Sequence, residues 1–174
     1  MAGSKKGRKK PTGKEVAVVV VSVIMVVSIL LPSFSQIFAS QPTTSSAPTS
    51  FDGAASKYRP EVDSAKEAVD RDGGDKAAQL KLAQAYYQWG IYAESYAGND
   101  DEQSEAKELL DQARQAFGAY LNLEGSLESD EARNAAVDRA LCDYYAGDTA
   151  ACIESLKSVA DETNYAPVWA NLGM

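Results

Sequence analysis

The chemistry open to this chain rests on carboxylates, tyrosines and two cysteines, because its 174 residues include no histidine. Histidine is the usual general base at neutral pH and the commonest metal ligand, so its absence closes the most frequent route to either role. Cys142 and Cys152 are too few for a structural zinc site. They also lack the Cys-x-x-Cys spacing of a redox pair. One stretch invites a nucleotide-binding reading: Gly7-Arg8-Lys9-Lys10-Pro11-Thr12-Gly13-Lys14 has the outline of a phosphate loop. Five residues separate its glycines where four are required, and Glu15 stands where a magnesium-binding hydroxyl belongs. The expectation is a protein that is not an enzyme, with no catalytic residue, no cofactor and no metal.

Charge divides the chain into parts. Lys5, Lys6, Arg8, Lys9, Lys10 and Lys14 precede position 16, with Glu15 the one acidic residue there. Beyond it stand 11 basic against 24 acidic residues, a formal charge of −13. A body this acidic repels nucleic acid, whose binding depends on lysine and arginine displacing counterions from phosphate. From Val16 to Leu31 the chain reads VAVVVVSVIMVVSILL, and residues 32–39 extend the uncharged stretch to 24. About 20 helical residues span the roughly 30 Å of bilayer hydrocarbon. Residues 16–38 are therefore expected to form a transmembrane helix. The basic residues 1–15 before it predict a cytoplasmic N-terminus and an extracytoplasmic body at the cell membrane. A cleaved signal peptide is the alternative, with passable cleavage sites at Ser33-Phe34-Ser35 and Ile37-Phe38-Ala39. Gln41–Ser50, QPTTSSAPTS, is rich in hydroxyls and prolines and bears no charge. Such a stretch buries too little apolar surface to order itself, so residues 39–55 read as a flexible linker.

From Ser56 to Met174 the pattern is helical, and the expected domain is all-α. Tyr58, Val62, Ala65 and Val69 make one apolar stripe at spacings of three and four. Gly73-Gly74 ends that helix, glycine being the residue that supplies left-handed turns, and Asp75 caps the next. The second helix carries Leu82, Ala83, Tyr86, Tyr87 and Trp89 and continues past Gly90 to about Tyr96. Further helices are expected over Glu102–Leu123, Asp130–Ala146 and Thr149–Ala160, with a sixth from Pro167 to Met174.

The closing Trp169-Ala170-Asn171-Leu172-Gly173 matches the W-x2-L-G opening of a tetratricopeptide repeat. Gly147-Asp148 is similar to the turn between that family's two helices, with Cys152, Leu156 and Val159 at the packing positions that follow. Leu82-Ala83, Tyr86 and Gly90 resemble the first helix and turn of an earlier unit. About eighteen residues beyond the family's spacing then lead to Ala113, Phe117 and Tyr120 of its second helix. The resemblance implies an antiparallel array of helix hairpins, an α-solenoid, whose first helices present a concave surface to a protein or peptide. Carried onto this chain, it places Gln84, Tyr87, Gln88, Asp138 and Tyr145 in that groove. The family's lysine and asparagine clamp for a terminal carboxylate is missing, since Gln84, Cys142 and Met174 occupy the asparagine position.

In such a hairpin Cys142 and Cys152 stand at similar heights on either side of Gly147. An oxidising compartment favours a disulfide, whereas helix axes about 8–10 Å apart favour two free thiols; both outcomes stay open. Trp169 and Leu172 would normally pack beneath a following helix, so the sequence reads as truncated, or as completed by a partner or by self-association through that end. The functional expectation is a bacterial membrane-tethered scaffold for protein–protein contact, ancillary to secretion or cell-envelope machinery. The alternative is an accessory module of an exported enzyme whose catalytic part lies in a missing C-terminal region.

Overall fold

At Ser50 the chain turns helical, because its Oγ accepts a hydrogen bond from the Gly53 N–H at 3.0 Å and caps the first turn. The structure is a computed structural model, and it describes residues 47–173. The basic segment, the expected transmembrane helix and residues 39–46 of the linker lie outside the described residues. α1 (Phe51–Arg71) starts five residues ahead of the expected Ser56. The reason is packing: Ala54, one turn before Tyr58, is fully buried, and Phe51 and Ala55 rest against the same core. α1 ends without a left-handed glycine. Instead the Asp72 carboxylate accepts from the Gly74 N–H at 2.9 Å, and positive φ occurs only at Gly125 and Gly147 among the described residues.

The next four helices each open on a side-chain cap. Asp75 Oδ1 accepts from Ala77 and Ala78 N–H at 2.9 and 3.1 Å and starts α2 (Lys76–Tyr96). Asn99 Oδ1 accepts from Glu102 N–H at 3.0 Å and starts α3 (Asp100–Glu124), whose first turn carries Asp100, Asp101 and Glu102. Those carboxylates suit the positive end of the helix dipole. The expected helix begins only at Glu102, two residues later. Ser129 caps α4 (Asp130–Tyr145) and Asp148 caps α5 (Thr149–Glu162). α6 (Ala166–Leu172) has proline in its first turn and no side-chain cap bond. No strand occurs among the described residues, and no helix there is long and apolar enough to cross a membrane.

Successive helices pack on one another and run antiparallel. The Tyr96 hydroxyl at the end of α2 donates to the Pro48 carbonyl ahead of α1 at 3.1 Å. Lys76 at the start of α2 pairs with Glu124 at the end of α3 at 3.4 Å. Arg114 of α3 reaches Asp143 late in α4 at 3.5 Å, while Gly118, one turn on, faces Arg139, one turn back. α4 also touches α2 and α6, two elements away in each direction. The Tyr165 hydroxyl before α6 donates to Asn134 Oδ1 of α4 at 2.7 Å.

Two apolar cores result. The larger joins α1, α2 and α3 to one side of α4 and includes Tyr58, Tyr86, Trp89, Leu110, Phe117 and Tyr120. The smaller joins α4, α5 and α6 through Val137, Ala140, Cys152, Leu156, Val159 and Val168. Leu121 and Leu141 rest against both. Burying a side chain such as Phe117 or Leu110 contributes about 1.5–3 kcal/mol, so the aromatic-rich first core holds most of the packing energy.

Candidate functional site

Of two recesses on the described surface, neither is lined by the five residues expected in a groove. One, of about 500 Å3, lies along α3 and is lined by Asp101, Ser104, Glu105, Glu108, Leu109 and Gln112. Its carboxylates do not converge: no group of three metal-ligating side chains occurs among the described residues. The other, of about 350 Å3, lies between the end of α3 and the pair α4–α5, against Leu121, Leu127, Arg139, Ser155, Val159 and Glu162. Both are open features of helix surfaces.

The expected residues gather elsewhere, where α2 meets α4. Gln84 and Gln88 are one helical turn apart on α2, half-buried, and make no side-chain hydrogen bond among the described residues. Tyr87 shares their face but sinks deeper, to 8 % exposure. Its ring meets Phe117 edge-on at 5.9 Å and Tyr145 at 6.2 Å. Tyr87 is therefore part of the wall of this surface, and the two glutamines and Tyr145 form its open side. Tyr144, which the expected set left out, stands edge-on to Tyr145 at 5.4 Å and is 45 % exposed. Adjacent helical residues point about 100° apart, so spacing alone assigns only one of the two to a shared face. The Tyr144-Tyr145 pair was the signal available in the sequence.

Asp138 supplies the charge. It is half-buried on α4, and its carboxylate forms no ion pair and no hydrogen bond among the described residues. Burial pushes its carboxyl up to about 7, because a poorly hydrated site disfavours the ionised form. Burial, then the Asp138 charge and the neighbouring Tyr145, raise the Tyr87 hydroxyl well above its ordinary range. Tyr145 is raised by burial first, then by Tyr144, Asp138 and Glu94. None of these tyrosines is a base near neutrality. The arrangement holds a carboxyl that titrates in the physiological range against aromatic rings, with amides alongside.

Cys142 and Cys152 are both free and buried. Cys142 belongs to the first core and Cys152 to the second, so the hairpin around Gly147 directs the two thiols into different interiors. The Cys142 thiol donates to the Asp138 carbonyl at 3.3 Å. Burial raises both thiols above their usual range, with the carboxylates of Asp138 and Asp143 adding to the effect at Cys142. Thiols in this state are poor nucleophiles.

At the far end, Trp169 on α6 is 54 % exposed, the most open of the large apolar side chains among the described residues. Comparison with protein-family models, with curated proteins and with solved structures finds no match for this chain.

Proposed function

We propose that this protein is a membrane-tethered, extracytoplasmic scaffold of tetratricopeptide-like helix hairpins, and that the surface between α2 and α4 docks a protein or peptide partner. The observation that carries the reading is the surface itself. Gln84, Gln88, Asp138 and Tyr145 carry polar groups with no hydrogen-bond or ion-pair partner among the described residues, around the buried edge of Tyr87. Hydrogen-bonding groups without internal partners, set beside aromatic rings, are what a protein interface needs. The order of packing supports the hairpin array: neighbours in sequence are neighbours in space, with α2, α4 and α6 touching in turn. Each hairpin then borrows core from the next, as repeats do. The uncharged run at 16–39 and the basic residues before it support tethering with the domain outside the cytoplasm. A role beside secretion or cell-envelope machinery rests on the type of fold alone.

Photocrosslinkers placed at Gln84 and Gln88 of the full chain in cells test the docking surface. The expected result is one or a few discrete adducts that vanish when the probe moves to Asp161 on α5. A smear common to both positions, or no adduct, would remove this surface as the interface. The exposure of Trp169 favours a second reading, self-association through α6. Under that reading sedimentation of the full chain in neutral detergent depends on concentration, and Trp169→Ser abolishes the dependence.

A further inference from the structure

Three aromatic–cation contacts occur among the described residues. Lys57 lies over Tyr58 at 4.8 Å, Arg59 over Trp89 at 5.3 Å and Arg133 over Tyr165 at 5.2 Å. The four ion pairs among them use Lys76, Arg114 twice and Arg133. Among the described residues no cation lies over Tyr87, Tyr144 or Tyr145, and none pairs with the Asp138 carboxylate beside them. The carboxylate and the rings share one face of the α2–α4 pair.

We propose that this face recognises a basic side chain: a lysine or arginine of an extended peptide segment lies across the Tyr145 ring and pairs with the Asp138 carboxylate. The inference rests on the docking surface proposed above and names the chemistry that surface selects. A cation over a tyrosine face is attracted by the ring's quadrupole, more strongly where the pair is desolvated. A carboxylate that has already lost much of its hydration gains more from a cation than one in open water. Glu94 of α2 faces Tyr145 and adds to the negative potential. The formal charge of −13 beyond residue 15 draws a basic segment toward the domain and repels an acidic one. Gln84 and Gln88 each offer a donor and an acceptor to the backbone of an extended peptide.

Among the described residues, no basic group pairs with Asp138 from the elements packed around it. Tyr87 faces it from α2, with Tyr145 and Cys142 on its own helix. Cys152 of α5 reaches toward Tyr87. Arg114 of α3, whose charge reaches Cys142, is already held by Asp111 and Asp143. A bound cation favours the ionised carboxylate, so binding at acid pH expels a proton. Affinity therefore rises with pH up to about 7, where the carboxyl titrates, and levels off above it.

The test uses the full chain in neutral detergent and fluorescein-labelled decapeptides of alanine and serine with one central arginine, lysine or citrulline. Citrulline keeps the shape of arginine without its charge. Anisotropy is expected to show the arginine and lysine peptides binding at least tenfold more tightly than the citrulline peptide at pH 8. The arginine peptide should lose at least fivefold between pH 8 and pH 5.5. Asp138→Asn should bind it as weakly as citrulline with no pH dependence, while Asp161→Asn leaves it unchanged. Equal affinities for arginine and citrulline, or an unaltered affinity in Asp138→Asn, would overturn the proposal. Should Asp138→Asn misfold, the pH profile of the wild-type chain and the loss of cation preference in Tyr145→Leu decide the matter. Persistent crosslinks from Gln84 without any preference for charge would leave the docking surface standing and sink this inference alone.

Discussion

An aspartate that meets no cation inside a fold keeps its proton to higher pH than one in water, and the fold is less stable for it once ionised. Asp138 in an unfolded chain titrates near about 3.9, and in the fold it holds its proton up to about 7. Between those values the folded state binds more protons than the unfolded one. The contribution of Asp138 to stability therefore falls as pH rises through that window and is constant above it. Asp138→Asn removes the effect. Denaturant titrations should show the variant gaining on the wild type from pH 4 to pH 8, reaching about 4 kcal/mol, roughly three pH units at about 1.4 kcal/mol each. An advantage that is the same at both pH values would mean that burial does not penalise the carboxylate. Such a variant would be more stable and, by the reasoning above, unable to bind a basic peptide. That combination is the usual mark of a residue kept for function at the expense of stability.

At the scale of the element, the glycines illustrate two different physical demands. Gly147 sits at φ 95° with nothing near its missing side chain, so its requirement is purely one of backbone conformation. Gly147→Ala should cost about 1 kcal/mol, the penalty of the left-handed region for a residue with a Cβ. Gly90 is helical, in the middle of α2, and a Cβ there would lie 2.8 Å from Leu110 Cγ and 3.2 Å from the Leu110 backbone nitrogen. Alanine would add about 1 kcal/mol of helix propensity, but overpacking costs about 1–3 kcal/mol. Against the adjacent α3 backbone the packing term wins, and Gly90→Ala should be destabilising by about 1 kcal/mol. Thermal melts of double variants separate the two: Leu110→Ala should relieve Gly90→Ala and leave Gly147→Ala unaffected. The turn at residues 146–148 was legible from Gly147-Asp148 alone. The sequence also carried α2 past Gly90, but the resemblance gave that glycine a turn's role. Its actual role, the crossing of two helices, depends on Leu110, twenty positions away.

For the whole molecule, the two cores predict unequal local stability. α1, α2 and α3 share the larger and more aromatic core, whereas α5 and the short α6 hold on through the smaller one. The bond from Tyr165 to Asn134 and the stacking of Arg133 on Tyr165 tie α6 to α4, yet Trp169 gains little from burial there. Native-state hydrogen exchange in rising denaturant should release the amides of α5 and α6 at lower free energy than those of α2 and α3. Uniform protection across all of them would show that the cores act as one. The opening of α5–α6 as a unit would also expose Cys152 before Cys142, so thiol labelling under the same conditions should follow that order.

The helices, their caps and the glycine turns were decided by interactions within about four residues, which a linear sequence displays: Asp75 beside Ala77 and Ala78, Asn99 beside Glu102, Asp148 beside Ala151. The same local reading separates the basic, apolar, hydroxyl-rich and helical parts of the chain. What only the tertiary structure decided are the cross-helix facts. Tyr87 lines a wall where the family resemblance implied an open groove position. Cys142 and Cys152 enter different cores. Asp138, with basic Arg139 next to it in sequence, meets no cation among the described residues. Helical periodicity assigns a side chain to a face, but burial and charge compensation depend on which residue of another helix arrives there, and that is a property of the packed chain.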